Sequence, residues 1–157
     1  MKKKQVIAVS EQVDFLRYKA LKQIPARIDT GARTSSLWAS NVRVEDNIVT
    51  LSFFGPSSPY YTGKVIRVPL EGTRVVTSST GVEQERLIVK LPIRIHGRRI
   101  KAKFTLSDRS TQVYPILIGR NTLRGNFLVD SADPGAAAIY KDPTERDEFN
   151  QIEEGVV

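Results

Sequence analysis

The segment best equipped for chemistry is Ala26-Arg27-Ile28-Asp29-Thr30-Gly31-Ala32-Arg33-Thr34-Ser35. A short strand-like run ends in an acid, then a hydroxyl, then a glycine. Such a loop presents a carboxylate at a strand end. Glycine admits close backbone approach, and threonine offers both a donor and an acceptor for bracing. Asp-Thr-Gly is also an ordinary sharp turn, so alone it reads as structure. A second feature lies downstream. Pro115-Ile116-Leu117-Ile118-Gly119-Arg120-Asn121 is an apolar run that ends in Gly-Arg-Asn and enters a short helix.

Other chemistries are excluded by what the 157 residues lack. There is no cysteine, which removes disulfide scaffolds, thiolate zinc sites, iron–sulfur sites and cysteine nucleophiles. His96 is the only histidine, so no His-Glu-x-x-His zinc motif exists. Next to Gly97 in a predicted turn, it reads as a surface residue. Gly63-Lys64 is followed by Val65, so there is no Gly-Lys-Ser/Thr phosphate loop. No metal and no cofactor is expected. No apolar run approaches the ~20 residues of a membrane span, and Met-Lys-Lys-Lys lacks the apolar core of a signal peptide. The expectation is a cytoplasmic protein with no membrane partner.

The elements that must position these residues read as mostly β. Hydrophobic residues make up 40% and charged residues 26%, as in an ordinary globular domain. Strand signals run over Val6–Val9, Val42–Phe54, Lys64–Leu70, Arg99–Leu106 and Tyr114–Ile118. Arg74–Thr77 and Arg86–Ile95 flank Ser78-Ser79-Thr80-Gly81 as a long hairpin. One short helix is expected at Asn121–Arg124, closed by Gly125. Short strands at regular spacing point to an all-β barrel or sandwich. One domain over residues 1–140 is expected, with an acidic C-terminal tail over 141–157. Trp38 reads as a core or interface anchor, and Tyr60-Tyr61 as a packed or substrate-contacting loop.

The net charge of +7 is uneven. Residues 91–125 carry eight basic and one acidic side chain, whereas residues 126–157 carry two basic and eight acidic ones. Arg98-Arg99-Ile100-Lys101-Ala102-Lys103 sets its charges on one strand face. That face reads as solvated, with an acidic-peptide or RNA track as the minority reading.

Taken in order, the Asp-Thr-Gly-Ala loop and the apolar-Gly-Arg-Asn segment resemble the retroviral aspartic proteases. Arg86–Gly97 resembles the outgoing flap strand and its turn. A closer similarity is to a bacterial branch of retropepsin-like proteins, often labelled ATP-dependent zinc proteases. Its pattern matches Ala26–Leu37, Ile116–Gly125 and Phe127–Asp130. The zinc and ATP of that label have no residues here to hold them.

The resemblance implies a retropepsin-like closed β-barrel acting as an aspartic peptidase. Peptide hydrolysis by carboxylates needs two that share one proton. This chain has one Asp-Thr-Gly, so the resemblance implies a homodimer with Asp29 of each subunit at the two-fold axis. Asp29 is then the catalytic acid/base, Thr30 braces the two loops, and Gly31 lets substrate backbone lie close. Ala32, Arg33 and Thr34 border the substrate, and Thr80-Gly81 near the flap tip closes over it. Ile118, Gly119, Arg120 and Asn121 support the loop from behind. Arg33 stands where the viral enzymes carry an acid, which suggests a protein or peptide substrate rich in carboxylates, such as glutamate-rich tails. The flap tip also lacks the viral Gly-rich run. The alternative is a dimeric β-barrel that binds peptide or nucleic acid without cleaving it, with nucleic acid the less expected partner; the intact Asp29-Thr30-Gly31 argues against it, because a pure binder needs no buried carboxylate pair.

Overall fold

The computed structural model describes residues 3–77 and 80–139. The acidic tail expected over 141–157 lies outside them, as do Ser78 and Ser79 of the expected hairpin tip. In chain order the elements are β1 (Gln5–Ile7), β2 (Ser10–Phe15), β3 (Ile24–Ile28), β4 (Ser35–Glu45), β5 (Ile48–Phe53) and β6 (Val65–Pro69). There follow β7 (Gly72–Thr77), β8 (Glu83–Ile95), β9 (Arg98–Ser107), β10 (Ile116–Ile118), α1 (Arg120–Leu123) and β11 (Phe127–Val129). Among the described residues no helix is long and apolar enough to cross a membrane.

The longest pairing, β8 with β9, shows how the sequence sets the fold. Val89, Leu91, Ile93 and Ile95 are buried and alternate with Lys90, Pro92 and Arg94. On β9, Ala102 and Phe104 are buried between the exposed Lys101 and Lys103. A period of two sends one row inward and the other to solvent. His96 and Gly97 join the strands with φ of 50° and 79°. Two consecutive left-handed residues are what a two-residue hairpin turn requires. His96 is exposed there, as its place beside Gly97 suggests.

Six strands close into a barrel. β10 pairs with β3, β3 with β2, β2 with β8, β8 with β9, β9 with β4, and β4 again with β10. The chain therefore has the all-β, retropepsin-like barrel with one short helix that the sequence resembles. β10 lies parallel to β3 and antiparallel to β4, so its three residues form the seam. Ile116 and Ile118 are fully buried in it. β5 and β6 extend β4 into an outer layer, and β7 pairs with the first half of β8 as the expected hairpin. The core carries the ring of Phe15 at 4.9 Å from that of Phe53 and 6.2 Å from that of Phe104. Trp38 is a core residue. A Cβ on Gly55 would stand 2.7 Å from its ring, so Gly55 makes room for it.

Outside the barrel, β1 and β11 pair in parallel as a separate two-stranded sheet. Ile7 and Phe127 point into the core, whereas Val6 and Leu128, directly opposite each other, are 58% and 54% exposed.

Candidate active site

Asp29 is the first residue beyond β3, and its place is set by the seam strand. Its main-chain N–H donates to the Ile118 carbonyl at 2.8 Å, continuing the β3–β10 pairing by one residue. The chain then turns back on itself. The Asp29 carbonyl accepts the N–H of Ala32 at 3.3 Å, and Asp29 Oδ1 accepts the N–H of Gly31 at 2.9 Å. The carboxylate is thus held at one oxygen by the loop's own backbone. Asp29 is half-buried, while Thr30, Gly31 and Arg33 are exposed.

The downstream segment grips the loop from behind. The N–H of Arg120 donates to the Ala32 carbonyl at 2.8 Å, and that of Asn121 to the Arg33 carbonyl at 3.2 Å. Arg120 Nη1 reaches the Thr30 carbonyl at 3.2 Å, which ties the helix to the loop within one chain. Asn121 Oδ1 accepts both the N–H of Ser35 at 3.0 Å and its hydroxyl at 2.8 Å. Asp29–Thr34 and Ile118–Asn121 are therefore brought together as one unit. Thr80 and Gly81 lie in the connection between β7 and β8; Gly81 has φ of 83° and is exposed.

Two parts of this unit go beyond the residues singled out from sequence. Ser35 is fully buried, and its hydroxyl also meets Thr122 Oγ1 at 2.8 Å and the Gly119 N–H at 3.1 Å. With Asn121 as acceptor of its proton, Ser35 Oγ accepts the other two bonds and is saturated. A fully buried hydroxyl inside a strand is the signal for such a network, since most buried polar atoms are hydrogen-bonded.

The second is Arg109, in the connection between β9 and β10. It is half-buried and its Nε donates to the Tyr114 carbonyl at 2.9 Å. Burial pulls its pKa down to about 10, the nearby charges of Arg27 and Arg86 pull the same way, and the Asp29 carboxylate opposes them. Three guanidinium groups and Asp29 thus share one electrostatic neighbourhood. Arg27, two residues before Asp29, lies on the same side of the strand by its period of two. Nothing in the spacing of Arg109 announces this role, because only barrel closure brings the loop back to β3. The side chain of Arg33 points to solvent, and what the loop uses of that residue is its carbonyl.

Residues 9–139 match the family model described as RimB-like, the retropepsin-like aspartic endopeptidase RimB. A probable alpha-L-glutamate ligase of Desulfotalea psychrophila is 26% identical over 133 residues, 82% of this chain and 28% of that protein. A probable alpha-L-glutamate ligase of Shewanella pealeana is 30% identical over 116 residues, 70% of this chain and 25% of that protein. The chain thus spans about a quarter of the length of these curated relatives. In fold it is similar to Lpg0085 of Legionella pneumophila, a protein of unknown function. The TM-score is 0.66 at 22% identity, covering 86% of this chain and 99% of that one.

Proposed function

The chain belongs to the RimB-like family of retropepsin-like aspartic endopeptidases, and from that premise we propose that it is a homodimeric peptidase whose two Asp29 carboxylates activate water. The observation that carries this reading is the double fixation of Asp29, by Ile118 through its main chain and by Gly31 through one carboxylate oxygen. A preorganised carboxylate is what acid–base catalysis asks of the protein.

One carboxylate takes a proton from water as the water oxygen attacks the scissile carbonyl carbon. The other, protonated, gives its proton to the carbonyl oxygen. Collapse of the resulting gem-diol breaks the C–N bond, and a proton passes to the departing amine. Since each chain carries a single Asp-Thr-Gly, the second carboxylate comes from a second copy. The sheet of β1 and β11 supports that assembly. Two strands alone are marginal, and the exposed pair Val6 and Leu128 offers an apolar strip for a partner. In the dimer Thr30 braces the paired loops, Gly31 to Thr34 border the substrate, and Thr80 and Gly81 close over it.

The substrate proposed is an acidic peptide or protein, met in the cytoplasm. Arg27, Arg86 and Asp29 all act on the half-buried Arg109, and this cluster of guanidinium groups favours carboxylates, as does Arg33. The curated relatives are named probable glutamate ligases, which fits a chain that trims glutamates from proteins that bear them. The test is incubation with glutamate-rich peptides followed by mass spectrometry, for the wild type and Asp29→Asn. Cleavage by the wild type alone, with pepstatin-type inhibition, supports the peptidase. Equal binding by both proteins with cleavage by neither would establish the non-catalytic binder instead.

A further inference from the structure

The outer face of β8 and β9 carries more positive charge than the barrel needs. Lys90 lies directly opposite Lys103, Arg94 opposite Arg99, and Pro92 opposite Lys101. Like charges facing each other across a strand pair are destabilising. The one ion pair within 4.0 Å among the described residues, Arg94 with Asp14, neutralises a single member of this set. Between the face and α1 lies a concavity of about 280 Å³, bordered by Lys90, Lys101, Lys103, Asn121 and Thr122.

Asn121 connects this concavity to the catalytic loop. Its Nδ2 donates to the Lys103 carbonyl at 3.1 Å, its N–H binds the Arg33 carbonyl, and its Oδ1 holds Ser35. A chain leaving the loop at Arg33 therefore meets Asn121 and then the lysines. Lys101 and Lys103 stand two residues apart on one strand, roughly 6.6 Å along it, the repeat of alternate side chains in an extended peptide. The face residues include no aromatic ring, so the stacking platform that single-stranded nucleic acid uses is missing.

We propose that the Lys90–Lys101–Lys103 face is an exosite that holds an acidic stretch of a polypeptide beyond the catalytic cleft. That the polypeptide is a substrate rests on the peptidase reading; that it binds here does not. The test uses the full chain carrying Asp29→Asn, so that nothing is cleaved, and a fluorescein-labelled oligo-glutamate peptide. Binding is read by fluorescence anisotropy against salt concentration. The double change Lys101→Gln/Lys103→Gln should weaken binding about tenfold, two exposed ion pairs' worth, and flatten the salt dependence. Lys19→Gln/Lys22→Gln removes the same charge from the exposed β2–β3 connection and should leave Kd unchanged. In the chain that keeps Asp29, Lys101→Gln/Lys103→Gln should raise KM for long acidic substrates and leave kcat as it was. Peptide binding that ignores the Lys101 and Lys103 changes overturns the exosite even if the wild type is a peptidase. Lysine-dependent binding of an RNA oligomer with no binding of oligo-glutamate overturns it in favour of nucleic acid. Lysine-dependent peptide binding without any cleavage by the wild type keeps the exosite and discards the peptidase reading.

Discussion

Gly119 stands so close to Thr34 that a Cβ added to it would lie 2.4 Å from the Thr34 carbonyl oxygen and 2.9 Å from that of Ala32. Both oxygens belong to the backbone of the Asp-Thr-Gly loop and cannot swing aside. Its φ of −100° is ordinary for any residue. Size alone therefore demands glycine here.

Gly119→Ala is accordingly expected to destabilise the fold by ~1–3 kcal/mol, the usual cost of overpacking, and to push the loop carrying Asp29 outward. Urea unfolding measures the first effect. Residual cleavage by the fraction that remains folded measures the second, and should fall well below the folded fraction.

Asp29→Asn should behave in the opposite way. Asn keeps an oxygen for the Gly31 N–H, so the loop and the unfolding midpoint should be preserved. Peptide cleavage should drop by about 10²- to 10⁴-fold, the range for loss of an acid–base group. Retained cleavage at the wild-type rate would remove Asp29 from the mechanism.

Ser35→Ala leaves the buried Gly119 N–H without its acceptor and takes a donor from Asn121. The expected loss is ~1–3 kcal/mol, the penalty for an unsatisfied buried polar group. Ser35→Thr keeps the hydroxyl, so the comparison of the two midpoints separates the hydrogen bonds from steric effects.

Leu128→Asp tests the assembly. Leu128 is 54% exposed in the single chain, so its replacement should change chain stability by less than ~0.5 kcal/mol. It should nevertheless lower the mass seen by size exclusion with light scattering from dimer to monomer, with cleavage lost in parallel. A dimer that survives both Leu128→Asp and Val6→Asp would place the interface elsewhere.

Arg109 gives a pH signature. Its pKa is lowered to about 10, by burial first and by Arg27 and Arg86 next, from the ordinary guanidinium range. The folded chain therefore holds this proton less tightly than the unfolded one. The resulting penalty is full below pH 10 and is relieved as pH rises through 10 toward the ordinary guanidinium range. The thermal midpoint of Arg109→Met, relative to wild type, should fall between pH 8 and pH 11. At neutral pH the same change should raise KM for acidic peptides more than for neutral ones.

Much of this was legible in the residues. Alternation exposed β5, β6, β8 and β9, and the Asp-Thr-Gly and Gly-Arg-Asn segments announced a loop and its support. β2 was missed because Ser10-Glu11-Gln12-Val13-Asp14-Phe15 offers only Val13 and Phe15 to the core as apolar residues. The start of β4 was missed because Ser35 and Ser36 are buried through hydrogen bonds, and the buried run Leu37-Trp38-Ala39 that follows shows no alternation. The helix begins one residue earlier than expected, at Arg120, because Gly119 turns the chain against the loop. Arg109 was invisible for a different reason. Its charged neighbours Arg27, Arg86 and Asp29 lie on β3, on β8 and just beyond β3, and no local pattern encodes a meeting made by barrel closure.

The seam has a temporal consequence. Asp29 owes its position to Ile118, ninety residues further along, and the barrel shuts only when Ile116–Ile118 slides between β3 and β4. Contacts so distant in sequence form late and slowly. During synthesis the Asp-Thr-Gly loop leaves the ribosome long before the strand that shapes it. A nascent chain interrupted before Ile116 holds every residue from Asp29 to Thr34 and has no fixed carboxylate. The fixed carboxylate therefore arrives in a single late step, when the seam strand closes against β3.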